Sequence, residues 1–264
     1  MLKSLLKIVL GVVLGVPLLM WLFQERLIFF QRPLEFRPAQ RPNIEEVAIA
    51  AADGSTLRGW LVNGGVAPAP LVIYFGGNAE EVSWLVEVAE KLAGWSLLLV
   101  NYRGYGESEG KPSETALFAD SLAVYDFARR RDGVDLQRIV AMGRSLGSGV
   151  AVYLASERPL RGVILVSPYD SLVEVGRRHY PFLPISLMLR HRFDSIARAP
   201  RVDAPLLCLA AAADGVVPTP HSRALFEAWR GAKTWREIPG ADHDSISGEP
   251  GYWSSIEAFL ESLR

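Results

Sequence analysis

The chain has 264 residues, of which 50% are apolar and 22% charged, a balance typical of one large or two small folded domains and unlike that of a disordered chain. Its 28 Lys and Arg residues against 29 Asp and Glu residues give a net charge of −1, so no basic excess indicates nucleic acid as a partner. Cys208 is the only cysteine in the sequence, which excludes an internal disulfide and a cysteine-rich zinc or iron–sulfur site held by this chain alone.

An apolar run at the amino terminus is the first predicted element. No charged residue lies between positions 8 and 23, and a helix over residues 2–23 would measure about 33 Å, slightly more than the roughly 30 Å hydrocarbon core of a bilayer. The residues after the run are large, which favours an uncleaved anchor over a cleaved signal peptide. We therefore expect residues 1–30 to be a single-pass membrane anchor for a domain over residues 31–264. The sequence does not decide on which side of the membrane this domain lies.

Short apolar runs alternate with longer amphipathic stretches after residue 42. Alternating segments on both sides of Asp53-Gly54 predict a hairpin. Further strands are predicted at 71–75, 97–100, 139–142, 163–166, 206–209 and 235–238, and helices at 79–93, 113–131, 146–157, 220–230 and 252–263. This order predicts an α/β protein with a mainly parallel sheet covered on both faces, whose functional residues gather at the carboxyl ends of the strands.

The turn between the strand at 139–142 and the next helix contains the first candidate catalytic residue. It reads Gly143-Arg-Ser145-Leu-Gly147, the G-x-S-x-G pattern in which a sharp turn holds a serine hydroxyl clear of the sheet. The amino end of the following helix favours negative charge next to that hydroxyl. The pattern and its placement predict Ser145 as a nucleophile.

A serine nucleophile needs a base, and the base needs an orienting acid. Of the four histidines, His243 is the one that follows the last predicted strand and precedes the last predicted helix, where the base is expected. Asp214 follows the strand at 206–209, where the acid is expected, and Asp170 at the end of the preceding strand is the alternative acid.

Two backbone N–H groups are expected to stabilise the oxyanion. One belongs to Leu146, directly after the nucleophile, and we assign the other to Asn78 in the glycine-rich loop after the strand at 71–75. Asn78 with Glu81 three residues later also has the spacing of a helix-capping pair.

Several segments together resemble the α/β-hydrolase superfamily, in particular its membrane-anchored branch of bud-emergence-type and α/β-hydrolase-domain serine hydrolases. They are Gly76-Gly-Asn-Ala, Asn101-Tyr-Arg-Gly-Tyr-Gly-Glu-Ser-Glu-Gly, Gly143-Arg-Ser-Leu-Gly, Arg178-His-Tyr-Pro-Phe-Leu-Pro and Gly240-Ala-Asp-His. The resemblance implies the α/β-hydrolase fold, with a mostly parallel eight-stranded sheet, helices on both faces and a small cap at about residues 171–200.

The predicted function is that of a membrane-anchored serine hydrolase. Ser145, His243 and Asp214 would cleave a carboxylic ester or thioester, with an acyl or lipid-like substrate, through an acyl-enzyme and without a metal or organic cofactor. The expected partners are this substrate and a lipid bilayer, with no nucleic acid, and the oligomeric state stays open.

Two alternatives remain open at this point. One is a serine peptidase of the aminopeptidase kind, for which Glu80, Glu81 and Glu107 would have to supply an anionic pocket for a free amino terminus. The other is a non-catalytic membrane-tethered binding module that has kept the fold.

Overall fold

The computed structural model describes residues 2–65, 67–92 and 94–264, but not the side chains of residues 2–10 and 12–14. The strands are β1 Ile44–Ala50, β2 Thr56–Val62, β3 Ala69–Phe75, β4 Ser96–Val100, β5 Val134–Arg144, β6 Gly162–Val166, β7 Leu206–Ala211 and β8 Lys233–Ile238. The helices are α1 Leu2–Ile28, α2 Glu114–Ala128, α3 Leu146–Glu157, α4 Leu172–His179, α5 Ile185–Met188, α6 Thr219–Ala228 and α7 Pro250–Ser262. Short 3-10 segments cover Val82–Leu92, Ala199–Arg201 and Ile246–Gly248.

The strands form one eight-stranded sheet in the order β1-β2-β4-β3-β5-β6-β7-β8. Pairing is parallel from β4 to β8, whereas β2 is antiparallel to both of its neighbours, β1 and β4. The sheet is therefore mixed and mostly parallel. The predicted hairpin between β1 and β2 is present, and Gly54 adopts a φ of +85° at its turn, a conformation that glycine reaches without steric cost.

Helices cover both faces of this sheet, because alternate residues of each strand point to opposite sides. In β3, Leu71 and Ile73 belong to a core cluster with residues of α2, α3 and α6. Val72 and Tyr74 belong to a second cluster with the 3-10 segment Val82–Leu92 and α7. The prediction of helices on both faces is confirmed, although the stretch predicted as a helix at 79–93 is a 3-10 segment.

The amino-terminal helix differs from its sequence prediction. Among the described residues, no helix is both long enough and apolar enough to cross a bilayer, so the prediction of a single-pass membrane anchor is wrong. Towards its end α1 packs on protein instead: Gln24 is buried, and Phe29, directly after the helix, meets the ring of Phe193 at 6.4 Å between centroids. Other apolar side chains of α1, among them Leu18, Leu22 and Phe23, remain exposed.

Candidate active site

Ser145 lies at the turn from β5 into α3 with a φ of +50°, an uncommon value for a residue with a side chain. Its N–H donates to the carbonyl of Val166 at 2.9 Å, which fixes the turn against β6. The flanking glycines are required by close packing. A Cβ on Gly143 would lie 2.3 Å from the carbonyl oxygen of Gly147, and one on Gly147 would lie 2.1 Å from that of Phe75. The sequence pattern therefore reflects backbone crowding around the half-buried Ser145.

The structure brings together three side chains that are distant in the sequence. The Oγ of Ser145 lies 2.9 Å from Nε2 of His243, and Nδ1 of His243 lies 2.9 Å from Oδ2 of Asp214. An ionised carboxylate can only accept hydrogen bonds, so Nδ1 carries the proton and Nε2 is free to accept from the serine hydroxyl. This arrangement can transfer a proton from Ser145 to His243.

The carboxylate of Asp214 is held on several sides. Its side chain is 1% exposed, and Oδ1 also accepts the N–H groups of Val216 at 3.0 Å and Val217 at 2.7 Å. Burial alone raises the pKa of this carboxyl, but the hydrogen bond and charge of His243 and the Val217 N–H outweigh burial and lower the pKa of Asp214 below its ordinary value. Asp214 is therefore ionised near neutral pH.

The alternative acid, Asp170, contacts a different histidine. Its Oδ1 lies 3.0 Å from Nδ1 of His221, at the start of α6, and also accepts the N–H of Ser171 at 2.6 Å. The geometry therefore assigns Asp214, rather than Asp170, to His243.

Leu146 and Asn78, the predicted oxyanion donors, both line a cavity together with Ser145. Leu146 is the first residue of α3, and an N–H at that position has no partner within its own helix. The neighbouring N–H of Gly77 is already used, since it donates to Oε2 of Glu80 at 2.5 Å. That leaves the N–H of Asn78 as the candidate in this loop.

The predicted capping pair of Asn78 and Glu81 is absent, because both side chains have other partners. The Asn78 side-chain oxygen accepts the N–H of Phe30 at 2.9 Å and the hydroxyl of Tyr105 at 3.0 Å. Glu81 instead accepts from the side chains of Asn101 at 2.8 Å and Ser83 at 2.5 Å. Asn78 thus joins its loop to the end of α1.

A buried ion pair links three loops of the site and was missed by sequence reasoning. The Arg144 guanidinium lies 3.4 Å from Oε2 of Glu80 and donates to the backbone carbonyl of His243 at 2.9 Å. Glu80 also accepts the hydroxyl of Tyr74 at 2.8 Å. Arg144 occupies a freely variable position of the G-x-S-x-G pattern, so nothing in that pattern indicates its partners.

A cavity of about 430 Å³ opens above Ser145. Among the described residues, its lining contains no Asp, Glu, Lys or Arg and consists mostly of apolar side chains of α1, α4, α5 and the residues that follow Asp214. Such a volume and lining suit a small or medium-sized, largely apolar ligand.

The three glutamates that a peptidase would need are engaged elsewhere. Glu80 pairs with Arg144, Glu81 with Asn101, and Glu107 with Arg37 on the surface at 2.7 Å. None of the three lines the cavity above Ser145. The alternative of an aminopeptidase therefore lacks its expected anionic subsite within the described residues.

Possible metal ligands and the single cysteine were compared with the site in the part of the chain that the structure describes. No group of three or more His, Cys, Asp or Glu side chains there is placed to hold a metal ion. Cys208 lies buried in β7, and this burial raises the pKa of its thiol far above the usual range.

An eight-stranded, mostly parallel sheet with a serine on the strained turn between β5 and α3 defines the class of this protein as an α/β hydrolase. The sequence model of the alpha/beta hydrolase fold family matches residues 70–195. An uncharacterized protein of Mycobacterium tuberculosis is 39% identical over 237 residues, 87% of this chain and 84% of that protein. The chain belongs to the α/β-hydrolase family.

Other relatives and solved structures agree with this assignment. The α/β-hydrolase domain-containing protein WAV2 of Arabidopsis thaliana is 28% identical over 95% of this chain and 91% of its own. A Saccharomyces cerevisiae protein named an uncharacterized membrane protein is 29% identical over 82% and 79%. The acetyl xylan esterase of Paenibacillus has a similar fold, with a TM-score of 0.70 at 21% identity over 92% and 93%. A Pyrococcus furiosus esterase has a TM-score of 0.68 at 18% identity over 88% and 97%.

Proposed function

We propose that this protein is a serine hydrolase that cleaves carboxylic ester or thioester bonds of substrates with an apolar acyl group. The observation that carries the proposal is the chain of contacts from Ser145 Oγ through the His243 ring to the buried carboxylate of Asp214. Two solved structures of similar fold are named esterases, which supports the ester class of substrate.

In the first half of the proposed reaction, Ser145 Oγ attacks the carbonyl carbon while Nε2 of His243 takes the hydroxyl proton. Asp214 stabilises the imidazolium that forms and keeps its Nδ1–H pointed at the carboxylate. The N–H groups of Leu146 and Asn78 would stabilise the oxyanion, and loss of one such donor typically costs about 3 kcal/mol of transition-state stabilisation. Collapse of the intermediate expels the alcohol or thiol, which receives the proton from His243.

In the second half, His243 activates a water molecule that attacks the acyl-enzyme. The new carbon–oxygen bond forms as the bond to Ser145 Oγ breaks, and the serine recovers its proton from His243. The acyl product leaves as a carboxylic acid. The largely apolar lining of the cavity favours an acyl group over a sugar or peptide in the space next to Ser145.

A fluorophosphonate probe tests the nucleophile directly, since it reacts covalently with an activated serine. We expect the intact protein to be labelled and Ser145→Ala to lose labelling and ester hydrolysis together. Ser156→Ala, near the other end of the helix α3 that Ser145 precedes, is the matched control and should be labelled like the unchanged protein. Equal labelling of Ser145→Ala, with an unchanged melting temperature, would refute the assignment.

A further inference from the structure

We propose that the last turns of α1 form one wall of the acyl-binding cavity, and that the side-chain amide of Gln24 holds this wall against the segment around α5. The inference deepens the proposed function, on which it rests, by naming the element that selects the length of the acyl chain.

The residues of α1 that line the cavity lie on one face of the helix. They are Met20, Trp21, Gln24, Leu27 and Ile28. Their spacing of one, four, seven and eight residues after the first is that of a continuous helical stripe. The same cavity is lined by Ser145, so an acyl group bound to the serine lies within reach of this stripe.

Gln24 connects α1 to a segment more than 160 positions later in the chain. Its side-chain oxygen accepts the N–H of Arg190 at 2.8 Å, and its side-chain nitrogen donates to the carbonyl of Met188 at 3.2 Å. The residue is only 5% exposed. Because both the oxygen and the nitrogen of this buried amide are paired, α1 cannot shift along or away from the segment around α5 without leaving buried polar groups unpaired.

Contacts before and after Gln24 also hold the end of α1 against the rest of the protein. The Arg190 guanidinium lies 5.2 Å from the centre of the Trp21 ring, and the ring of Phe29 packs edge-on against His191 at 5.2 Å. The N–H of Phe30 binds the side chain of Asn78, in the loop proposed to stabilise the oxyanion. The end of α1 is therefore tied both to the segment around α5 and to the catalytic loop.

Apolar residues of α4 and α5 line the same cavity as this stripe. They include Val175, Ile185 and Met188, and no described Asp, Glu, Lys or Arg is part of the lining. An unbranched acyl chain held in this cavity would contact apolar side chains of both segments. Each methylene that is buried there should raise kcat/KM by about fourfold until the cavity is filled.

Two leucines of α1 provide a matched test in the full-length chain. Leu27 lines the cavity and is 50% exposed, whereas Leu22 is 53% exposed and does not line it. The ratio of kcat/KM for p-nitrophenyl octanoate to that for p-nitrophenyl acetate measures acyl-chain selection. We expect Leu27→Ala to lower this ratio roughly fivefold and Leu22→Ala to leave it unchanged.

A second variant covers the case in which Leu27→Ala does not fold. Leu27→Trp fills the cavity instead of widening it, so the preferred ester should become shorter, with butyrate exceeding octanoate. An equal ratio for the Leu27 and Leu22 variants would overturn the inference. If the unchanged protein hydrolyses no ester in a Ser145-dependent manner, the proposed function itself fails, which is a different result.

The role of Gln24 has its own readout. Gln24→Met keeps side-chain length but cannot pair with Arg190 N–H, so KM for the octanoate ester should rise at least fivefold, with a smaller change in kcat. Gln40→Met, at an exposed position, is the control and should leave both constants unchanged. A fall in kcat at constant KM would contradict a positioning role for Gln24 in the binding wall.

Discussion

Arg144 donates a hydrogen bond from its guanidinium to the backbone carbonyl of His243 at 2.9 Å, although the two residues are 99 positions apart. The same guanidinium pairs with Glu80, whose Oε2 also accepts the N–H of Gly77 next to Asn78. One cation thus connects the loops of the proposed base, nucleophile and oxyanion donors. Its side chain is largely buried, so this link is poorly screened by water.

This link predicts that Arg144 positions the catalytic loops without touching the substrate. Arg144→Gln should lower kcat by about a hundredfold, because a displacement of roughly 1 Å in a catalytic group has that effect. Arg138→Gln, on the same strand β5 but paired with Asp135 near the surface, should retain activity. Fluorophosphonate labelling rates and ester hydrolysis measure both variants. Full activity of a folded Arg144→Gln protein would show that the loop of His243 keeps its catalytic position without Arg144.

The contact between Asp214 and His243 predicts which carboxylate orients the base. Asp214→Asn should lower kcat by about four orders of magnitude, the loss seen when an amide imposes the wrong histidine tautomer. Asp170→Asn, which removes the partner of His221 instead, should keep kcat within about tenfold of its original value. Steady-state ester hydrolysis by both variants decides the assignment. The reverse order of effects would assign the acid to Asp170.

The lowered pKa of Asp214 predicts a pH-dependent contribution to stability. An unfolded aspartate titrates near pH 3.9, and the folded carboxyl titrates at a lower pH, so the contribution is present above about pH 4 and is lost as the pH falls through the folded pKa. The difference in the free energy of unfolding between the unchanged protein and Asp214→Asn should therefore shrink in acid. Urea unfolding from neutral pH to about pH 3 measures it.

Asp132→Asn, at an exposed position, is the control for that series and should show the same small difference at each pH. A difference for Asp214→Asn that grows towards acid would contradict the lowered pKa.

Arg103, within the segment Asn101-Tyr-Arg-Gly, is expected to contribute strongly to the free energy of unfolding. Its side chain is 7% exposed and binds Asp120 through two hydrogen bonds of 2.7 and 2.6 Å. Arg103→Met leaves the Asp120 carboxylate buried without its partner and should cost about 3–5 kcal/mol of unfolding free energy. Arg37→Met, whose ion pairs are exposed, should change the free energy of unfolding far less. Urea unfolding compares the two, and equal losses would contradict the role of burial.

Prediction from sequence was most successful where the signal is local. Strands β3, β4, β6 and β7 are short apolar runs that are buried along their whole length, as a strand covered on both faces requires. The turn at Ser145 needs small residues within two positions on either side. By contrast, the amphipathic pattern at 79–93 predicts an α-helix, whereas the structure forms a 3-10 segment at Val82–Leu92, because this pattern does not distinguish the two kinds of helix. The Arg144 link could not be predicted, because its partners lie in loops distant along the chain.

The amino-terminal helix shows the same limit most clearly. The apolar run before Gln24 predicts a membrane span because it contains no charged residue over a length that would cross a bilayer. The structure instead places Gln24 and Phe29, at the end of this segment, against residues more than 160 positions later. The sequence by itself determined the order of the eight strands along the chain and the candidate residues that follow them, because these depend on local patterns of apolar and small residues. Only the tertiary structure decided that Asp214 rather than Asp170 meets His243, and that α1 borders the cavity, because both depend on contacts between segments far apart in the chain.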